Sequence, residues 1–129
     1  MITSKMGTSN KTFWSYLKQI KGNKFCIISC CYAGAQAEEA YNTGNVTNYL
    51  MWCAAPPSKF SYRTPYKCKY CNDSGHPSNK FTVSILKLFS GLKDKTYAEA
   101  WEAVSRNYGN LGVKYSNNFD ETMTFLNLW

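Results

Sequence analysis

The first apolar stripe of the chain is Phe13, Trp14, Leu17 and Ile20, a spacing that puts all four on one helical face. Ser9 or Asn10 can cap this helix, and Gly22 stands where a left-handed residue is wanted at its end. Residues 1–8 before it are polar and predict a frayed end. The pattern then changes. Phe25, Cys26, Ile27 and Ile28 lead into Ser29 and Cys30 as a short continuous apolar run, which predicts a strand over residues 24–30 buried on both faces. An Ala- and Glu-rich stretch from Gly34 to Tyr41 predicts a helix, residues 42–45 a turn, and residues 49–55 a second buried strand closed by Pro56 and Pro57. Residues 58–79 show no periodicity and predict a long polar loop of the kind that carries function. Apolar positions 81, 85, 88, 89 and 92 predict another helix. Thr96 and Glu99 form a capping box for the next, whose buried stripe is Tyr97, Ala100, Trp101, Val104 and Tyr108 and which Gly109 stops. The tail, 122–129, predicts a last strand. This order of helices and strands predicts a layered α/β fold.

Composition narrows the picture. A chain of 129 residues that is 44% hydrophobic and 16% aromatic suits a single domain over 1–129 and excludes wholesale disorder. The formal charge of +7 raises the question of an acidic partner such as nucleic acid. Lys5, Lys11, Lys18, Lys21 and Lys24 are dispersed, however, and only Lys59, Arg63, Lys67 and Lys69 gather into a patch. A solvated lysine-rich surface accounts for them, and nucleic acid is not the expected partner. No apolar run approaches the about 20 residues that span a bilayer, and the first thirty residues hold no signal-peptide core. No membrane association and a cytoplasmic location are therefore expected. Six cysteines are present, but Cys30 and Cys31 are adjacent and Cys26 lies in an apolar run, so reduced thiols are expected rather than a disulfide framework.

One thiol stands in a position that changes its chemistry. Cys31 follows the first strand, and Gly34 marks a sharp turn into a helix. Open α/β sheets place their sites at the carboxyl ends of strands. There the helix start favours a thiolate, and the backbone N–H of the cysteine can help to hold an oxyanion. The competing reading of Cys31 is a buried small hydrophobe.

The run Ile27, Ile28, Ser29, Cys30, Cys31, Tyr32, Ala33, Gly34 resembles the nucleophile motif of the caspase-like cysteine peptidases, in forms found in metacaspases and bacterial caspase-like domains. Residues 50–55 are similar to the family's next strand. Lys80, Phe81 and Thr82 with Leu86, Gly91 and Leu92 resemble the helix after it, and residues 96–100 the following helix opening. The resemblance covers most of residues 10–110. It implies a caspase-like three-layer sandwich with a mostly parallel sheet and helices on both faces, in which 24–30 and 48–54 are neighbouring parallel strands. It implies peptide-bond hydrolysis by Cys31, the glycine spacing selecting Cys31 over Cys30, and a peptide or protein as substrate. Ser61 and Arg63, in the run Phe60, Ser61, Tyr62, Arg63, are similar to cleft-lining residues that meet an acidic substrate side chain, a pairing suited to a bidentate guanidinium.

The family's catalytic histidine precedes the nucleophile, and no histidine precedes Cys31 in this chain. The expectation is a domain lacking the upstream half, with the histidine supplied by an upstream segment or a complementary chain, or else an inactive relative. The single histidine, His76, lies in a proline-flanked loop in reversed chain order and reads as a solvated side chain. Cys68, Cys71 and His76 give half of a zinc knuckle, but a closed structural zinc takes four ligands and position 81 is Phe. No metal and no cofactor are expected. The alternative function is a non-catalytic binding module. In it Tyr62, Tyr66 and Tyr70 interleave with the basic residues of the 59–70 loop to bind nucleic acid or another acidic partner.

Overall fold

The computed structural model describes residues 10–43, 46–66 and 76–125, with side chains described over 12–38, 46–62 and 79–125. The elements follow in the order α1 (Asn10–Gln19), β1 (Lys24–Ile28), α2 (Ala33–Thr43), β2 (Tyr49–Cys53), β3 (Arg63–Tyr66), β4 (His76–Asn79), α3 (Lys80–Leu92), α4 (Tyr97–Asn107) and β5 (Val113–Asn117). The fold is mixed α/β. Its main sheet has the order β1-β2-β5, with β1 and β2 parallel in register from Lys24↔Tyr49 to Ile28↔Cys53 and β5 antiparallel to β2.

Alternation along the central strand divides the core in two. Leu50, Trp52 and Ala54 pack with Phe81, Ile85 and Leu92 of α3, with Tyr97, Ala100 and Val104 of α4, and with Tyr108 and Phe125. Tyr49, Met51 and Cys53 pack with Trp14 and Leu17 of α1, Ala33 and Ala37 of α2, and Val46. The α1–α2 and α3–α4 pairs therefore cover opposite faces. Among the described residues no helix is long and apolar enough to cross a membrane.

Several expectations are corrected. Every residue of β2 is buried, but β1 is only partly so, with Ile27 43% exposed, because β1 is an edge of this sheet and β2 its centre. Ile20 falls past the end of α1 and is exposed. The predicted loop contains an antiparallel pair, β3 with β4, whose register sets Pro65 opposite Pro77. Proline supplies no ladder donor, so neither segment reads as a strand. Among the described residues the last strand is β5, and the second half of the strand expected in the tail lies outside them. Phe125 inserts into the core from a turn beside a single bridge between Thr96 and Thr124, and residues 126–129 lie outside the described residues. β5 was hidden because its residues are all half-buried and mostly polar.

The helix signals correspond closely. Asn79 caps α3, accepting from the Phe81 N–H, and Thr96 with Glu99 forms a complete capping box on α4. Gly22 and Gly109 take positive φ at 81° and 79° after α1 and α4.

Candidate active site

The two parallel strands end together: the Ala54 N–H donates to the Ile28 carbonyl at 2.9 Å, one step past the last ladder pair. From there the chain must turn sharply into α2. Tyr32 takes the left-handed conformation at φ 56°, and Gly34 lies so close to the following loop that a Cβ would sit 2.8 Å from Pro57 Cδ and 3.1 Å from the Ala55 carbonyl. Two backbone bonds fasten this corner. Gly34 N–H donates to Ala55 O and Tyr32 N–H to Lys59 O, each at 2.8 Å. Cys31 stands at its apex, partly exposed.

The segment after Pro57 folds back over the thiol. The Ser61 N–H donates to Cys31 Sγ at 3.3 Å, and the Ser61 hydroxyl lies 3.5 Å from the same sulfur. Asn79 holds Ser61 from the other side, its Nδ2 donating to Ser61 Oγ at 2.9 Å and to Ser29 O at 3.3 Å. Behind them Tyr108, just past α4, donates its hydroxyl to Ala54 O at 2.8 Å and accepts from the Tyr62 N–H at 3.4 Å. Ser29 and Thr82 pair through their hydroxyls at 2.5 Å, tying the exit of β1 to the first turn of α3. Around this centre Tyr32, Phe60 and Tyr62 are exposed, and the Tyr32 and Phe60 rings lie 5.2 Å apart.

The adjacent cysteines have different surroundings. Cys30 packs against the α1–α2 side of the core, and burial pushes its thiol up from the ordinary value. Cys31 meets Ser61 instead. Burial raises Cys26 as well, and pushes Cys53, fully enclosed in β2, up to about 12. Cys26, Cys30, Cys31 and Cys53 are all thiols, without a disulfide.

Of the anticipated site residues, Cys31 and Ser61 are brought into contact. Arg63 is placed by its backbone in β3, opposite Asn79. The backbone of His76 lies in β4, three residues from Asn79, which is about 10 Å along an extended strand. The side chains of Arg63 and His76, and Cys68 and Cys71 altogether, lie outside the described residues, and so do the zinc spacing, residues 67–70 of the 59–70 loop and the side chains of 63–66. Among the described residues no cluster of three or more His, Cys, Asp or Glu could hold a metal ion.

Two polar residues of this site were not anticipated. Asn79 carries a legible signal, an Asn immediately before a helical pattern, but the reach of its amide to Ser61 depends on tertiary packing. Tyr108 reads as one more member of the α4 stripe, and nothing in its spacing marks the hydroxyl. No protein-family model matches the chain, and no curated protein matches it.

Proposed function

We propose that the chain is a caspase-like cysteine peptidase domain in which the Cys31 thiolate hydrolyses peptide bonds of a peptide or protein substrate. The carrying observation is the position of Cys31 Sγ at the carboxyl end of β1, beside the parallel β2, with the Ser61 N–H donating to it at 3.3 Å. Helices on both faces of the sheet support part of a caspase-like three-layer sandwich. In the reaction, the thiolate forms a C–S bond to the substrate carbonyl carbon and the carbonyl electron pair moves to oxygen. Collapse of that oxyanion breaks the C–N bond, and the amine leaves with a proton. Water then attacks the thioester, releasing the acid and restoring the thiol. In this family a histidine protonates the amine, so the reading assigns that role to a complementary segment or chain. Ser61 and Arg63 remain the proposed substrate-binding residues, Arg63 for an acidic side chain.

The test is labelling by peptide acyloxymethyl ketones carrying Asp, Asn or Arg next to the warhead, mapped by mass spectrometry. An adduct on Cys31, lost in Cys31→Ala, is the expected result. Labelling of other cysteines, with Cys31 unmodified by every peptide, overturns the proposal. Turnover should appear only when a segment or chain carrying the family's catalytic histidine is supplied, because general acid catalysis is worth roughly 10²–10⁴-fold.

The exposed Tyr32, Phe60 and Tyr62 favour a second reading, a non-catalytic module that stacks an acidic partner on these rings. Single-stranded nucleic acid binding that weakens steeply with salt, without labelling of Cys31, would select it.

A further inference from the structure

We propose that Ser61 and Asn79 form a hydrogen-bond relay that holds the Cys31 sulfur as a thiolate, making both of them positioning residues for the nucleophile. The catalytic meaning rests on the peptidase reading, but the effect on the thiol does not.

The direction of the relay follows from its fixed ends. Asn79 Oδ1 accepts from the Phe81 N–H at 2.9 Å, as the N-cap of α3. Its Nδ2 must then face the other way, and there it meets the Ser29 carbonyl, which can only accept. The same NH₂ donates to Ser61 Oγ at 2.9 Å. A hydroxyl that accepts on one side keeps its single proton for the other, where Cys31 Sγ lies 3.5 Å away. With the Ser61 N–H at 3.3 Å, two donors from one residue converge on the sulfur.

The surroundings give these donors weight. The helix start would by itself favour a thiolate, but two backbone N–H groups of this corner, Tyr32 and Gly34, already donate to the carbonyls of Lys59 and Ala55. Among the described residues, Cys30, next to it in the chain, and Tyr108 at the end of α4, with Tyr62 beside Tyr108, couple electrostatically to Cys31. Burial raises both Cys30 and Tyr108, so both are neutral near pH 7. Hydrogen bonds to a charged acceptor are the stronger ones, and the relay directs two of them at the sulfur.

The experiment follows the pH dependence of iodoacetamide alkylation at Cys31, resolved from Cys30 by fragment-ion mass spectrometry. It is run on the full chain and four variants. Ser61→Ala removes the hydroxyl, and Ser61→Thr keeps it. Asn79→Ala removes the cap and the donor. Asn79→Asp keeps a capping oxygen but turns an acceptor toward Ser61, drawing its proton away from sulfur.

The alkylation midpoint should rise by about one pH unit in Ser61→Ala, Asn79→Ala and Asn79→Asp, and return in Ser61→Thr, as loss of a charge-assisted hydrogen bond requires. An unchanged midpoint in Ser61→Ala overturns the relay even if the Asn79 variants fail to fold. A rise in Asn79→Asp without one in Asn79→Ala reports only the added charge and overturns it equally. Peptide-electrophile labelling of the unsubstituted chain is scored separately. Its absence removes the peptidase reading while shifted midpoints still uphold the relay, and its presence with unmoved midpoints does the reverse.

Discussion

Cys53 carries a stability consequence that is independent of any catalytic role. Burial in β2 moves its thiol from the ordinary 9.0 to about 12, so between those values the unfolded chain gives up a proton that the folded chain keeps. The unfolded state then binds fewer protons, and stability falls as pH rises, with a limiting slope of about 1.4 kcal/mol per pH unit for one group. Below 9.0 the contribution is fully present. Cys26 and Cys30, both raised by burial, act in the same direction. Urea midpoints measured from pH 7 to 11 should therefore decline above about pH 9. Cys53→Ala should start lower, because it leaves a cavity, and decline less steeply. An equal decline in the variant would remove Cys53 as the source.

Among the elements, β1 and α2 meet at a tight junction. The space that Gly34 leaves open is occupied by Pro57 and by the Ala55 carbonyl, which is backbone and cannot rotate away. Gly34→Ala should cost about 1–3 kcal/mol through overpacking, although alanine is the better helix former. It should also slow alkylation of Cys31, since the corner would have to open. Thermal unfolding and thiol kinetics on the same variant test both; a more stable variant would mean that the loop moves freely. At α4, Thr96→Ala removes one half of a capping box whose other half is the Glu99 carboxylate on the Thr96 N–H. A loss of about 1 kcal/mol is expected by urea denaturation, with Cys31 reactivity unchanged.

For the whole molecule the decisive side chain is Trp52, the largest fully buried one among the described residues. It stacks on Phe125 at 5.2 Å, meets Phe25 edge-on at 4.8 Å and lies 5.5 Å from Trp101. It stands on the central strand and faces the α3–α4 core, while its neighbours Met51 and Cys53 face the other. Trp52→Ala should cost about 3–5 kcal/mol, a large part of the stability of an ordinary domain. Trp52→Phe should cost less, partly because the indole N–H is buried with no hydrogen-bond partner among the described residues. If the two cores are one cooperative unit, near- and far-ultraviolet circular dichroism will report a single shifted transition in each variant. Separate transitions would show that the α1–α2 side folds on its own.

The amino-acid order alone determined what depends on near neighbours. The stripes of α1, α3 and α4, the capping box at Thr96, the left-handed stops at Gly22 and Gly109, and the two apolar strands that became β1 and β2 were all legible, because each is a periodicity or a cap within a few residues. It also singled out Cys31, from a strand run that meets a glycine turn. Tertiary structure decided the rest. Whether a strand is central or an edge depends on its partners, which is why the equally apolar β1 and β2 differ in burial. β5 and the proline-bearing β3–β4 pair have weak patterns of their own and exist as strands because another strand offers a ladder. The relay at the thiol is the strongest case. Ser61 and Asn79 are separated from Cys31 by 30 and 48 positions, and a hydrogen bond leaves no trace in spacing when its donor and acceptor are brought together only by the packing of α3 and the loop over the end of a sheet.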